Sequence, residues 1–301
     1  MELEQYQHFL VLAQTLHYGQ AAQNLGVSAS ALTRSIQKIE STLGHSLFIR
    51  DKRSVRLSQA GHLFRTHALE ATKGWAELKD HLDQENDSPT GDLKIFCSVT
   101  ACYSVLPDLL APFRQNYPGV QIHLQTGDAA DAMSRVLDGI ADLTITAVPD
   151  QLPSRCVFNS ILRTPLVFIH SPNDPNASMY RQAQALDWSK IPMVLPERGL
   201  ARERLDGCFA ALGVRPKIYA EVSGHEAILA MVNLGFGVGV VPSLVLEKSP
   251  YHKTLSILPS PKFSKPLAPY DVGLCMLKRD MARSPLKQFW DLVLSLGPAD
   301  K

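Results

Sequence analysis

The chain has 301 residues, enough for two or three domains with cores of their own. Its composition, 45% hydrophobic and 20% charged, is that of an ordinary globular protein, and no apolar run approaches membrane-spanning length. A net charge of +1 excludes a uniformly basic nucleic-acid binder, so any grip on phosphate has to come from local charge.

Leu3, Tyr6, Phe9, Leu10, Ala13 and Leu16 recur at helical spacing and predict a first helix that packs. A second helix is expected over roughly Gly19 to Leu25, with Ala21, Ala22 and Leu25 inward. Gly26 ends it by accepting the left-handed turn conformation, and Val27 plugs the angle. Ser28 is a favoured N-cap for a third helix, whose buried stripe is Leu32, Ile36, Ile39 and Leu43. That leaves Ser30, Thr33, Arg34, Gln37 and Lys38 on the outer face. Arg34 can fork onto guanine and Gln37 can pair with adenine in a major groove. Ser30 and Thr33 can reach bases or phosphates.

A lone polar helix face is more often plain solvated surface. Here a basic hairpin follows: Leu47 to Arg50, a turn at Asp51 to Ser54, then Val55 to Leu57. Arg50, Lys52, Arg53 and Arg56 would point toward phosphates as a wing. Residues 28–61 carry six cations against Glu40 and Asp51, which supplies the local charge that the whole chain lacks. The candidate DNA-binding set is therefore Ser28, Ser30, Thr33, Arg34, Gln37, Lys38, Arg50, Lys52, Arg53 and Arg56.

The pieces Ala21-Ala22, Leu25-Gly26-Val27-Ser28, Ala31-Leu32-Thr33-Arg34-Ser35-Ile36, Ile39-Glu40, Leu43-Gly44, Leu47-Phe48-Ile49-Arg50 and Leu57-Ser58-Gln59-Ala60-Gly61 run in this order. Together they resemble the winged helix-turn-helix of LysR-type transcriptional regulators. The pattern departs at Ala29 and Ser30, where many relatives carry Gln or Pro.

Ser58 caps a long helix expected from Gln59 to about Glu85. Phe64, Ala68, Ala71, Trp75, Leu78 and Leu82 step by four and three in turn, the 3.5-residue period of a coiled-coil seam. The alternative is a helix lying on its own domain. The narrow stripe with polar flanks favours pairing with a second chain, as the family resemblance also implies. Asn86 to Gly91 reads as a linker.

From Asp92 onward, apolar strands alternate with amphipathic helices. Strands are expected at Leu93–Val99, Gln121–Gln125, Leu143–Ala147, Leu166–His170, Met193–Leu195, Ile218–Val222, Val238–Val241 and Val272–Leu277. Helices include Ala201–Leu212, His225–Leu234 and Pro285–Leu296. Such alternation predicts a parallel sheet covered on both faces, and its length fits two lobes with a cleft at the strand ends. Polar residues gather there: Ser98, Val99 and Thr100; Asp128 and Ala129; Arg202; Gly224 and His225. Hydroxyls, free backbone N–H groups and Arg202 would suit a small carboxylate. Each residue alone could equally be a helix cap; four such clusters on one sheet system favour an effector cleft.

Gly235-Phe236-Gly237-Val238-Gly239 imitates a dinucleotide loop, but it leaves a helix and enters a strand, the reverse of the required order. His225-Glu226 lacks the second histidine of a zinc helix, and no Ser/His/Asp nucleophile motif occurs. Neither catalysis, nor a metal, nor a cofactor is expected. The five cysteines, Cys97, Cys102, Cys156, Cys208 and Cys275, form no Cys-x-x-Cys pair and read as reduced thiols of a cytoplasmic protein without a signal peptide.

The fold class expected is thus an all-α winged head at 1–58, a linker and dimerisation helix at 59–91, and an α/β effector domain at 92–301. The family resemblance implies that this last part is two-lobed, like periplasmic binding proteins. It puts one lobe at 92–161 and 267–301 and the other at 162–266, with crossings near Leu162 and Pro266. Within the family, Phe96–Ala101, Tyr103–Pro107, Thr126–Met133 and Gly224–Ala227 resemble activators of branched-chain amino acid synthesis that respond to acetolactate and acetohydroxybutyrate. That likeness implies a DNA-bound homodimer or homotetramer, a carboxylate inducer and RNA polymerase as partners. Rival readings are a relative serving another pathway, and an enzyme or solute-binding protein with an idle head.

Overall fold

The computed structural model describes residues 1–50, 54–83, 89–180, 187–259, 263 and 267–297, with backbone alone at 73, 76, 77 and 79–83. The chain divides into two compact units, Met1–Asp87 and Ser88–Lys301.

The first unit holds helices α1 (Leu3–Thr15), α2 (Tyr18–Leu25) and α3 (Ala29–Leu43), a hairpin of β1 (Phe48–Arg50) and β2 (Val55–Leu57), and the long α4 (Gln59–Asp83). Gly26 takes φ +66°, which closes α2 in the left-handed region. Ser28 Oγ accepts the Ala31 N–H at 3.1 Å and opens α3. The core is Phe9, Leu12, Ala21, Ala22, Leu32, Ile36, Ile39, Leu47 and Phe48, with Phe64 and Ala68 from α4.

Four expectations need correction here. Leu16 is exposed because it forms the left-handed C-cap of α1, and Leu43 is exposed at the last turn of α3. Leu12, absent from the expected stripe, is fully buried. Phe64 and Ala68 belong to this unit's own core: the Phe64 ring meets Phe9 edge-on at 4.7 Å. Of the expected seam positions, Trp75 and Leu78 in the later turns stand in solvent, 56% and 50% exposed. Ala71 is half-buried; the side chain of Leu82 lies outside the described residues, as do Lys52 and Arg53.

The second unit contains two five-stranded sheets. One has the order β4-β3-β5-β12-β6, from β3 (Gly91–Ser98), β4 (Val120–Gly127), β5 (Leu143–Ala147), β6 (Cys156–Thr164) and β12 (Tyr270–Leu277). It carries α5 (Val99–Ser104), α6 (Leu106–Asn116), α7 (Ala132–Leu137) and α12 (Leu286–Leu296). The other has the order β11-β7-β10-β8-β9, from β7 (Leu166–His170), β8 (Pro192–Pro196), β9 (Lys217–Val222), β10 (Val238–Pro242) and β11 (Ser256–Leu258). Its helices are α8 (Ala177–Tyr180), α9 (Leu200–Ala211), α10 (His225–Asn233) and α11 (Ser243–Glu247).

Both sheets are mixed rather than parallel. In the first, β3 runs parallel to β4 and β5, while β12 is antiparallel to β5 and β6. The reason is the double crossing between lobes. Thr164, the last residue of β6, pairs with Tyr270, the first of β12, so the outgoing and returning strands lie side by side and point oppositely. The outward crossing falls at Pro165, between the end of β6 and the start of β7. Most residues around Pro266 lie outside those described.

Candidate functional site

The α3 face of the first unit offers Ser30, Arg34, Gln37 and Lys38 to solvent, with Thr33 half-exposed. Helix geometry explains the separation: Leu32, Ile36 and Ile39 are buried and these residues lie opposite. Two of the expected DNA contacts are already engaged by the helix itself. Ser28 is the N-cap, 3.0 Å from Ser30 Oγ, and Thr33 Oγ1 donates to the Ala29 carbonyl at 2.8 Å. Lys38 meets Glu2 at 3.7 Å in an exposed pair, the kind that a phosphate replaces at little cost.

The wing is anchored by Glu40, which in the sequence stood only as a countercharge to the basic segment. Glu40 Oε1 accepts the Leu47 N–H at 2.7 Å and the Phe48 N–H at 3.2 Å. Its Oε2 accepts from Arg50 at 3.3 Å, and the Arg50 guanidinium stands 4.9 Å from the Tyr18 ring centre. Arg50 is therefore a brace between α3, α2 and the wing before it is anything to DNA. Arg56 is exposed opposite Ile49.

The second unit has a cleft between its sheets. A cavity of 170 Å³ is lined by Asp128, Ala129, Met133, Thr146, Arg198, Glu203, Gly224, His225 and Tyr270, among others. A smaller chamber of 50 Å³ adjoins it and shares Ala129, Thr146, Ala147, His225 and Tyr270. That chamber adds Ser98 and Thr100 to apolar walls from Val105, Ile145, Leu244, Val245 and Val272. A polar compartment joined to an apolar one, in this small volume, suits a small organic acid with a short alkyl branch.

Of the expected effector residues, Ser98, Thr100, Asp128, Ala129, Gly224 and His225 line this cleft. Val99 is exposed and lines neither chamber. Arg202 does not line it either: it sits one turn into α9 and bonds Glu221 at 2.5 Å, Asp206 at 2.9 Å and the Pro196 carbonyl at 3.1 Å. The arginine at the cleft is Arg198, in the loop directly after β8, held by Asp131 at 2.7 Å and Asp128 at 3.6 Å. Position immediately after a strand was the signal that separates the two arginines.

The lobes are tied by polar bonds. Thr100 N–H and Thr100 Oγ1 both donate to Glu226 Oε1, at 3.0 and 2.6 Å. Ser223 Oγ donates to Asp128 at 3.0 Å. Arg204 bonds Asp150 at 2.6 Å and the Ala268 and Pro269 carbonyls at 3.0 Å, and lies over the Tyr270 ring. His225 retains some accessible surface, all the more relevant because it lines both chambers, yet protein surrounds the ring closely. Desolvation lowers its pKa in spite of the nearby Glu226 and Asp128 carboxylates, which favours the neutral ring. The Arg198 guanidinium holds the Asp131 carboxyl below the usual range. Among the described residues no group of three or more His, Cys, Asp or Glu side chains could hold a metal, and no helix is long and apolar enough to cross a membrane.

Residues 3–62 match the family model described as a bacterial regulatory helix-turn-helix protein of the lysR family, and residues 86–297 match the LysR substrate binding domain. The chain is 37% identical over 294 residues to the HTH-type transcriptional activator IlvY of Haemophilus influenzae, covering 97% of this chain and 100% of that one. It is 38% identical over 296 residues to the HTH-type transcriptional regulator IlvY of Escherichia coli, covering 97% and 99%. Among solved structures, full-length CbnR complexed with its target DNA matches with TM-score 0.62 at 21% identity, over 98% of this chain and 99% of that one. A full-length OxyR variant from Pseudomonas aeruginosa matches with TM-score 0.66 at 21% identity, over 98% and 94%.

Proposed function

This chain belongs to the LysR family of transcriptional regulators, and from that premise we propose that it is an inducer-dependent activator of branched-chain amino acid synthesis. The family is one of DNA-binding regulators, not enzymes. The observation that carries the pathway is identity of 37–38% with proteins named IlvY across nearly the whole of both chains. The inducer is a small hydroxy-keto carboxylate, acetolactate or acetohydroxybutyrate. Arg198, rather than Arg202, is its cationic partner, Ser98 and Thr100 supply hydroxyls, and the neutral His225 ring faces its polar groups.

The head, residues 1–58, reads DNA through Arg34 and Gln37, with Ser30, Thr33 and Lys38 beside them and the wing cations on phosphates. The linker segment 59–91 pairs two chains through its helix α4, at Trp75 and Leu78, in a homodimer or homotetramer. The domain at 92–301 senses the inducer, and the repositioned heads engage RNA polymerase in the cytoplasm. The inducer acts only if it binds the activating arrangement more tightly than the resting one. Footprinting on DNA upstream of this gene and of the acetohydroxy acid isomeroreductase gene, with and without 2-acetolactate, tests the reading. A protected site whose boundaries shift with the ligand is expected. An unchanged footprint at saturating ligand overturns it.

A further inference from the structure

We propose that Glu226 is a built-in competitor of the inducer: its carboxylate latches the two lobes across the cleft, and an inducer carboxylate binds by displacing it. The inference rests on the reading of the inducer as a carboxylate.

Glu226 opens α10 in one lobe, and Thr100 stands in α5 of the other. Thr100 is 3% exposed, so its N–H and hydroxyl need an acceptor within the protein or the cleft. Both find the same oxygen, Glu226 Oε1. Bonds to an ionised acceptor are the strong kind. Thr100 lines the smaller chamber, beside the space where a ligand would lie. The same cleft already holds Asp128 and Glu203, and its Arg198 is shared between Asp128 and Asp131. A second carboxylate entering beside Glu226 meets like charge, and the conflict is relieved when Glu226 leaves Thr100 to it. Expelling Glu226 also breaks a bond between lobes, which turns occupancy into lobe movement.

While the latch is closed, the binding-competent fraction is small, and apparent affinity falls by that fraction. Removing the competing carboxylate should therefore tighten binding of 2-acetolactate by about ten-fold in Glu226→Ala, and also in the near-isosteric Glu226→Gln, which keeps the packing. Acetoin, the neutral counterpart without the carboxylate, does not compete for the Thr100 donors and should gain less than 2-acetolactate in both variants. Hydrogen exchange reads the latch without ligand: the Thr100 amide should exchange faster in Glu226→Ala than in the wild type, and 2-acetolactate should restore its protection. Equal or weaker 2-acetolactate binding by both variants, in a wild type that does bind it, overturns the competition. Unchanged Thr100 exchange in Glu226→Ala overturns the latch. If the wild-type protein ignores 2-acetolactate, the inducer reading has failed, and the exchange result alone decides the latch.

Discussion

Arg34 and Glu40 sit six residues apart on one helix and should fail in opposite ways. Arg34 is exposed and serves no internal contact that the core needs. Arg34→Ala is expected to leave unfolding unchanged and to cost about 1–3 kcal/mol in operator affinity if it contacts a base. Glu40 accepts two backbone N–H groups of the wing and braces Arg50. Glu40→Ala leaves the donors of Leu47 and Phe48 without a carboxylate and should lower stability by about 1–3 kcal/mol. Urea unfolding and fluorescence anisotropy on the same two proteins check both outcomes. The difference was not legible in sequence. Helical spacing sorted the α3 faces except at Leu43 in the last turn, but the bond from Glu40 to Arg50 spans ten residues and a turn, which no periodicity reports. The same blindness exchanged Arg202 for Arg198.

His225 gives a pH prediction at this scale. Its folded pKa lies below the ordinary value of 6.5, because burial disfavours the cation. Below that value the unfolded chain takes up a proton that the folded chain refuses. Stability is thus fully present above about pH 6.5 and falls as pH drops toward the lowered folded value, by at most about 1.4 kcal/mol per pH unit from this group. Thermal unfolding between pH 5 and 7.5 should show that loss in the wild type and a flatter profile in His225→Gln. An identical slope in both proteins would remove His225 as its source.

Among elements, α4 shows how one unbroken pattern can serve two partners. The 4-3-4-3-4 steps continue without a fault from Phe64, yet the first two positions pack on α1 while Trp75 and Leu78 face solvent with Met1, Leu3, Tyr6 and Ala71 around one groove. Periodicity says which face is apolar and leaves open what covers it. If a second chain covers the later turns, the double change Trp75→Glu and Leu78→Glu should yield a folded monomer by sedimentation velocity, with helical content intact. A dimer that survives both charges would place the pairing surface elsewhere. In the other unit, Leu143–Ala147 and Leu166–His170 have the expected bounds because both are short apolar runs buried in mid-sheet or beside it. The strand β6 was invisible: Asn159, Ser160 and Arg163 interrupt its apolar residues, and it lies at a sheet edge where alternation is weak. Gly237 shows what the false dinucleotide motif is for. At φ +126°, with the Pro192 carbonyl oxygen 2.2 Å from where a Cβ would stand, only glycine fits between α10 and β10.

At the scale of the molecule, charge is divided by task. Residues 28–61 carry a net +4 on a chain whose total is +1, so everything outside that segment is slightly acidic. Whole-chain charge concealed this, and only position along the sequence exposed it. The division predicts how binding should respond to salt. If two chains pair, two such heads reach one duplex, and each phosphate contact releases a counterion. With about six contacts or more, operator affinity should fall roughly 10³-fold or further between 50 and 200 mM salt. The proposed inducer site lies in the other unit, where Asp131 already pairs with Arg198, and an exchange of one carboxylate for another there should make its affinity change far less over the same range. Anisotropy titrations of a labelled operator and calorimetry with 2-acetolactate, run in the same buffers, measure the two slopes. A steep operator slope beside a shallow ligand slope is what separate units with separate electrostatics require. Equal slopes would mean that the cleft also works by long-range charge, and that the basic segment is not the only part of the chain that phosphate feels.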